Sequence, residues 1–106
     1  MWAVSGQTLT MTERDWGVEL PIRINGATFS ERDEVHLTIK SSQNGKAVIK
    51  KIFSNITQNT VKLTFTKEES TALKAGHYVY TLDWYQEGAF LCNIIPSAGF
   101  KVVDKA

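Results

Sequence analysis

Between Thr60 and Trp84 the chain spells out a strand, one capped helical turn, a stop and a second strand, and that order leaves few folds open. Thr60-Val-Lys-Leu-Thr-Phe-Thr66 alternates, with Val61, Leu63 and Phe65 on one face. Thr66-Lys-Glu-Glu69 has the form of a capping box, in which the Thr66 hydroxyl accepts from the Glu69 amide and the Glu69 carboxylate from the Thr66 amide. Ala72 and Leu73 give the turn an apolar side, and Gly76 is placed to stop it as a left-handed residue just past the C-cap. From His77 the alternation resumes, with Tyr78, Tyr80, Leu82 and Trp84 on one face and His77, Val79, Thr81 and Asp83 on the other. A strand that runs into one helical turn and leaves it as a tyrosine-rich strand fits the corner of a β-sandwich.

The rest of the chain reads as more strands of the same kind. Leu9 and Met11 share a face of a short strand, which Glu13-Arg-Asp15 breaks. Trp16 to Ile24 resumes with Val18, Leu20, Ile22 and Ile24 on one face. Pro21 lies inside it and donates no ladder bond, so this strand is expected at an edge or at a switch between sheets. Asn25-Gly26 marks a turn, and residues 28–34 a loop or single turn with Ser30 as cap. Val35, Leu37 and Ile39 face inward on the next strand, and His36, Thr38 and Lys40 outward. Asn44-Gly45 predicts a type I′ hairpin. The return strand, Ala47 to Phe53, loses its alternation at Lys50-Lys51, which predicts a bulge or an edge. Ala89 to Ile95 is nearly all apolar and predicts a central strand covered on both faces, with Cys92 buried in it; residues 96–99 read as a loop before Phe100 and Val102. About eight strands at this spacing predict a sandwich or barrel.

The 106 residues suit one domain, residues 1–106, large enough to bury a core unaided. Twelve basic against eleven acidic residues give a net charge of +1, which argues against a nucleic-acid partner, since phosphate binding needs a concentrated basic surface. Cys92 is the single cysteine, so no intramolecular disulfide forms. Residues 1–6 lack a basic n-region and a long apolar h-region, so no signal peptide is expected. No apolar run approaches the ~18 residues of a membrane span.

Catalytic chemistry finds little to use. His36 and His77 sit on polar strand faces, and a Cys–His dyad needs Cys92 exposed beside one of them. No metal-ligand spacing is present, so neither metal nor other cofactor is expected. Asp33, Glu34 and Asp83 are carboxylates that no spacing brings together, and Gly76, Gly88 and Gly99 are isolated rather than part of a phosphate loop. The chain is therefore expected not to be an enzyme. A binding surface is the better expectation. Val79, Thr81 and Asp83, with Leu91, Asn93 and Ile95 on the adjoining strand, form a candidate interface, and Tyr85 an exposed aromatic near it. A rival reading takes Tyr85, Trp84 and Phe90 as a carbohydrate- or cell-surface-binding platform.

Two resemblances attach to these residues. Leu73-x-x-Gly76-x-Tyr78-x-Tyr80 resembles the tyrosine corner of immunoglobulin-like domains, with Tyr78 at the corner and Tyr80 where antibody domains carry cysteine. This implies an all-β, immunoglobulin-like β-sandwich of about 7–8 antiparallel strands with one short helical turn near residues 67–74, and a structural corner of Leu73, Gly76 and Tyr78. More narrowly, the order Trp16-Gly-Val-Glu-Leu-Pro-Ile-Arg-Ile24, Val35-x-Leu-x-Ile39, Phe65-Thr-Lys-Glu-Glu-Ser70, Leu73-Lys-Ala-Gly-His-Tyr78 and Phe100-x-Val102 is similar to the N-terminal domain of phage baseplate upper proteins, over roughly residues 8 to 103. That resemblance implies a non-enzymatic assembly module of a phage tail or baseplate, whose partner is a protein: a second copy, as a homo-oligomer, or another tail component. It places the chain in the virion, or in the bacterial cytoplasm before assembly.

Overall fold

Alternating apolar residues build eight strands and one helical turn among the described residues. In chain order they are β1 (Trp2–Ser5), β2 (Thr8–Thr12), β3 (Leu20–Arg23), β4 (Asp33–Lys40), β5 (Ala47–Ser54), β6 (Thr60–Leu63), α1 (Lys67–Ala72), β7 (Gly76–Gln86) and β8 (Ala89–Val103). The computed structural model describes residues 2–5, 7–14, 17–26, 28–42 and 44–104, the first four as backbone alone. Trp16, the expected start of the third strand, lies outside them, and the strand itself is only Leu20–Arg23, with Val18 42% exposed.

The strands form two sheets, and the fold is all-β. The larger has the order β1-β2-β8-β7-β4-β5, the smaller pairs β3 with β6. Leu9, Met11, Val35, Leu37, Ile39, Ile49, Tyr80, Leu82, Phe100 and Val102 of the larger sheet and Val61 and Leu63 of the smaller belong to one buried cluster, joined by Ile24, Phe65 and Leu73. Each sheet thus covers the other's apolar face, as a half-apolar strand pattern demands. Phe100 meets Phe65 and Tyr80 edge-on at centroid distances of 6.2 and 6.3 Å.

Four sequence expectations need correction. The strands are not all antiparallel: β2 runs parallel to β8, with Leu9 opposite Phe100 and Met11 opposite Val102. Ala89 to Ile95 is not a separate central strand; it is the first half of β8, which continues through residues 96–99 without a loop. Since β2 pairs only with residues 100–103, this half has β7 as its one neighbour among the described residues and forms an exposed arm. Cys92 is accordingly exposed, not buried.

The turns also change places. Gly45 does not have the positive φ that a type I′ turn requires, so the β4–β5 loop is not type I′. It closes through a Gly45 amide bond to the Ser42 carbonyl, 3.0 Å. A Cβ at Gly45 would lie 2.5 Å from Ser41 Oγ and 2.8 Å from Ser42 Oγ, so a side chain there requires both serine hydroxyls to turn away. Among the described residues, two-residue turns with positive φ at both centres occur instead at Gln58-Asn59 (54° and 53°), closed by the Thr60 amide bond to the Thr57 carbonyl, and at Glu87-Gly88 (51° and 83°), between β7 and β8. Lastly, Gly76 is not the helix's C′ residue: Leu73 is the C-cap, and Gly76 already opens β7 opposite Val102, at φ 154°.

Candidate functional site

The corner forms around α1. Both capping-box bonds are made: the Glu69 amide donates to Thr66 Oγ1 at 3.2 Å and the Thr66 amide to Glu69 Oε1 at 2.8 Å. Lys51, on edge strand β5, points inward and donates to the same Oε1 at 2.8 Å and to the Thr64 carbonyl at 2.7 Å. Its ammonium also lies 5.5 Å from the centre of the Phe65 ring. Burial alone would raise the Glu69 pKa; the bonds from Lys51 and Thr66 outweigh it and hold the carboxyl below its ordinary value. Past the helix, the Tyr78 hydroxyl donates to the Lys74 carbonyl at 2.8 Å, and Leu73 is fully buried. Tyr80 takes the next inward position; its hydroxyl donates to the Gln7 carbonyl, and burial pushes its pKa up.

The outer face of the larger sheet carries the most unusual surface. Directly opposed residues on paired strands share a face, so one row across it reads Asn93, Asp83, His36, Ile52 from β8 to β5. The next reads Phe90, Tyr85, Glu34, Ser54. His36 stacks on Tyr85 with centroids 3.8 Å apart and rings 13° from parallel. Phe90 meets Tyr85 edge-on at 5.7 Å. His36 Nε2 is 3.1 Å from Glu34 Oε1, and Asn93 Nδ2 donates to Asp83 Oδ1 at 2.5 Å. Around this stack, Phe90, Leu91 and Ile52 are 54%, 48% and 58% exposed.

Of the residues singled out from the sequence, Thr81, Asp83 and Tyr85 lie on this face, opposite Thr38, His36 and Glu34, and Val79 lies opposite Lys40. Leu91 and Ile95 are displaced by bulges. The β7–β8 register shifts between Tyr80 and Leu82, between Leu82 and Asp83, and between Trp84 and Tyr85. Leu91 is the extra residue between Phe90 and Cys92. Ile95 falls opposite Leu82 and packs against the core, so it leaves the interface set. Trp84 faces away from Tyr85, against Phe29 at 4.8 Å, so Trp84, Tyr85 and Phe90 do not make one platform. His36 and Ile52 were not singled out for this surface, since their place on it depends on the β4–β5–β7 register.

The reactive groups stay apart. Cys92 lies opposite Trp84 and His36 opposite Asp83, on opposite faces. Asp33 is buried on the inner side, taking the Ser30 amide on Oδ2 at 2.8 Å, while Glu34 and Asp83 point outward to separate partners. Among the described residues no helix is long and apolar enough to cross a membrane. No protein-family model matches the chain, and neither a curated protein nor a solved structure matches it.

Proposed function

We propose that the chain is a non-enzymatic assembly module with an immunoglobulin-like sandwich architecture, a structural piece of a phage tail or baseplate, which associates with a second copy of itself through the outer face of the larger sheet. The architectural part is supported by strand order. Taking β3 and β6 as strands B and E, and β4, β5, β7 and β8 as C, C′, F and G, the neighbours are those of an immunoglobulin variable-type domain. β2 pairs in parallel with the last strand, β8, and the tyrosine corner leads into β7. The tail assignment rests on the resemblance of residues 8 to 103 to baseplate upper proteins.

The observation that carries the association is the Phe90–Tyr85–His36 stack, with exposed Ile52 directly opposite His36 and exposed Leu91 following Phe90 in the chain. Apolar side chains gathered like this on an open sheet mark protein interfaces. Charge favours a second copy. On β4, Lys40 and Glu34 stand at opposite ends of the same face. A two-fold axis lying across the strands sets Lys40 of one copy against Glu34 of the other, and Val79 against Tyr85. A glycan platform is less well served, because His36 covers one face of Tyr85.

Light scattering at micromolar concentration tests this. The expected mass is that of a dimer, falling to the monomer with Phe90→Ser plus Leu91→Ser. Lys40→Glu and Glu34→Lys should each be monomeric alone and pair when mixed. A monomeric wild-type chain, or a dimer indifferent to these changes, overturns the association.

A further inference from the structure

A second surface opens at the edge of the smaller sheet. Among the described residues, β3 pairs with β6 on one side only. The Ile24 amide, just past β3, donates to the Asn59 carbonyl at 2.7 Å, on the β6 side. Strand alternation then turns the backbone groups of Ile22 and Leu20 toward β6 and those of Pro21 and Arg23 toward the free edge. Pro21 has no amide proton, so within β3 Arg23 alone offers that edge both a donor and an acceptor, with the Pro21 carbonyl as a further acceptor. Beside the edge runs a cleft of about 380 Å³, its apolar walls formed by Leu20 and Ile22 of β3, Leu82 of β7 and Ile94 and Ile95 of β8. The exposed Arg23 stands at its rim, and no described carboxylate is paired with it.

We propose that this edge binds an extended peptide by strand addition, and that the peptide carries an aliphatic–acidic–aliphatic triplet. The residue opposite Arg23 exchanges two backbone bonds with it, and its side chain lies on the Arg23 face of the strand, where a carboxylate meets the guanidinium. The residues on either side point to the other face, the one carrying Leu20 and Ile22, and enter the cleft. The missing Pro21 donor keeps the pairing short, so the side chains set the preference. This site is separate from the outer face of the larger sheet.

A random dodecapeptide display library, panned on the whole chain, tests the proposal. Enrichment of aliphatic–acidic–aliphatic triplets is expected. A synthetic enriched peptide, followed by fluorescence anisotropy, should bind Arg23→Glu at least tenfold more weakly, and replacing its acidic residue by lysine should restore that loss. Phe90→Ser plus Leu91→Ser should leave its affinity unchanged. Failure to enrich, enriched peptides without the triplet, binding that ignores Arg23→Glu, or loss of binding on the Phe90 and Leu91 changes would each overturn the proposal. Arg23 is exposed, so its substitution reports on binding without disturbing the core.

Discussion

Glu87 holds a left-handed conformation that a residue with a Cβ disfavours. It shares a two-residue turn with Gly88, both at positive φ, where asparagine or glycine is the usual first residue. What holds it is Arg32: the Glu87 amide donates to the Arg32 carbonyl at 3.3 Å, and Arg32 Nη1 reaches Glu87 Oε1 at 3.2 Å. The ion pair is well exposed and adds little. Glu87→Asn is therefore expected to raise stability by about 0.5–1 kcal/mol, read as a higher denaturation midpoint at unchanged slope. Tyr78 gives the opposite sign. Its hydroxyl bond to Lys74 lies at the surface, where water replaces it in part. Tyr78→Phe should cost about 0.5–1 kcal/mol in the same measurement.

At the scale of elements, the turn between β6 and β7 was the most legible part of the sequence. The capping box is local chemistry over four residues, and both of its bonds are made. Lys51 was legible only as an interruption of alternation; that it turns inward to reach Glu69 depends on the β5 edge lying against α1. This contact has a pH consequence. The Glu69 pKa is lower folded than unfolded, so its stabilisation is present above the unfolded carboxylate pKa and is lost as pH falls through the folded value. Acid titration of stability should show a shallower fall in Glu69→Gln than in the wild type. The β8 arm was not legible. A run of apolar residues reads alike in a covered strand and in an exposed one, and only the partner strand's length tells them apart. Its bulges likewise leave no trace in composition, yet they move Ile95 from the face of Asp83 to that of Leu82.

At the scale of the molecule, Phe100 ties the parts together. It is 1% exposed, meets Tyr80 of its own sheet and Phe65 from the segment after β6, and pairs with both Leu9 and Tyr78. Phe100→Ala should cost about 3–5 kcal/mol, a large share of the about 5–15 kcal/mol a domain has, and equilibrium unfolding in denaturant would show it. The same strand decides when the fold can be completed. Among the described residues, β1 pairs only with β2, and β2 joins the larger sheet only through β8. During synthesis, then, the first two strands leave the ribosome without their place in the sheet and wait until the last strand follows. For that interval the nascent chain displays an unclaimed β-hairpin, open to capture by a neighbouring chain or by a chaperone, and translation speed from β2 through β8 sets how long the exposure lasts.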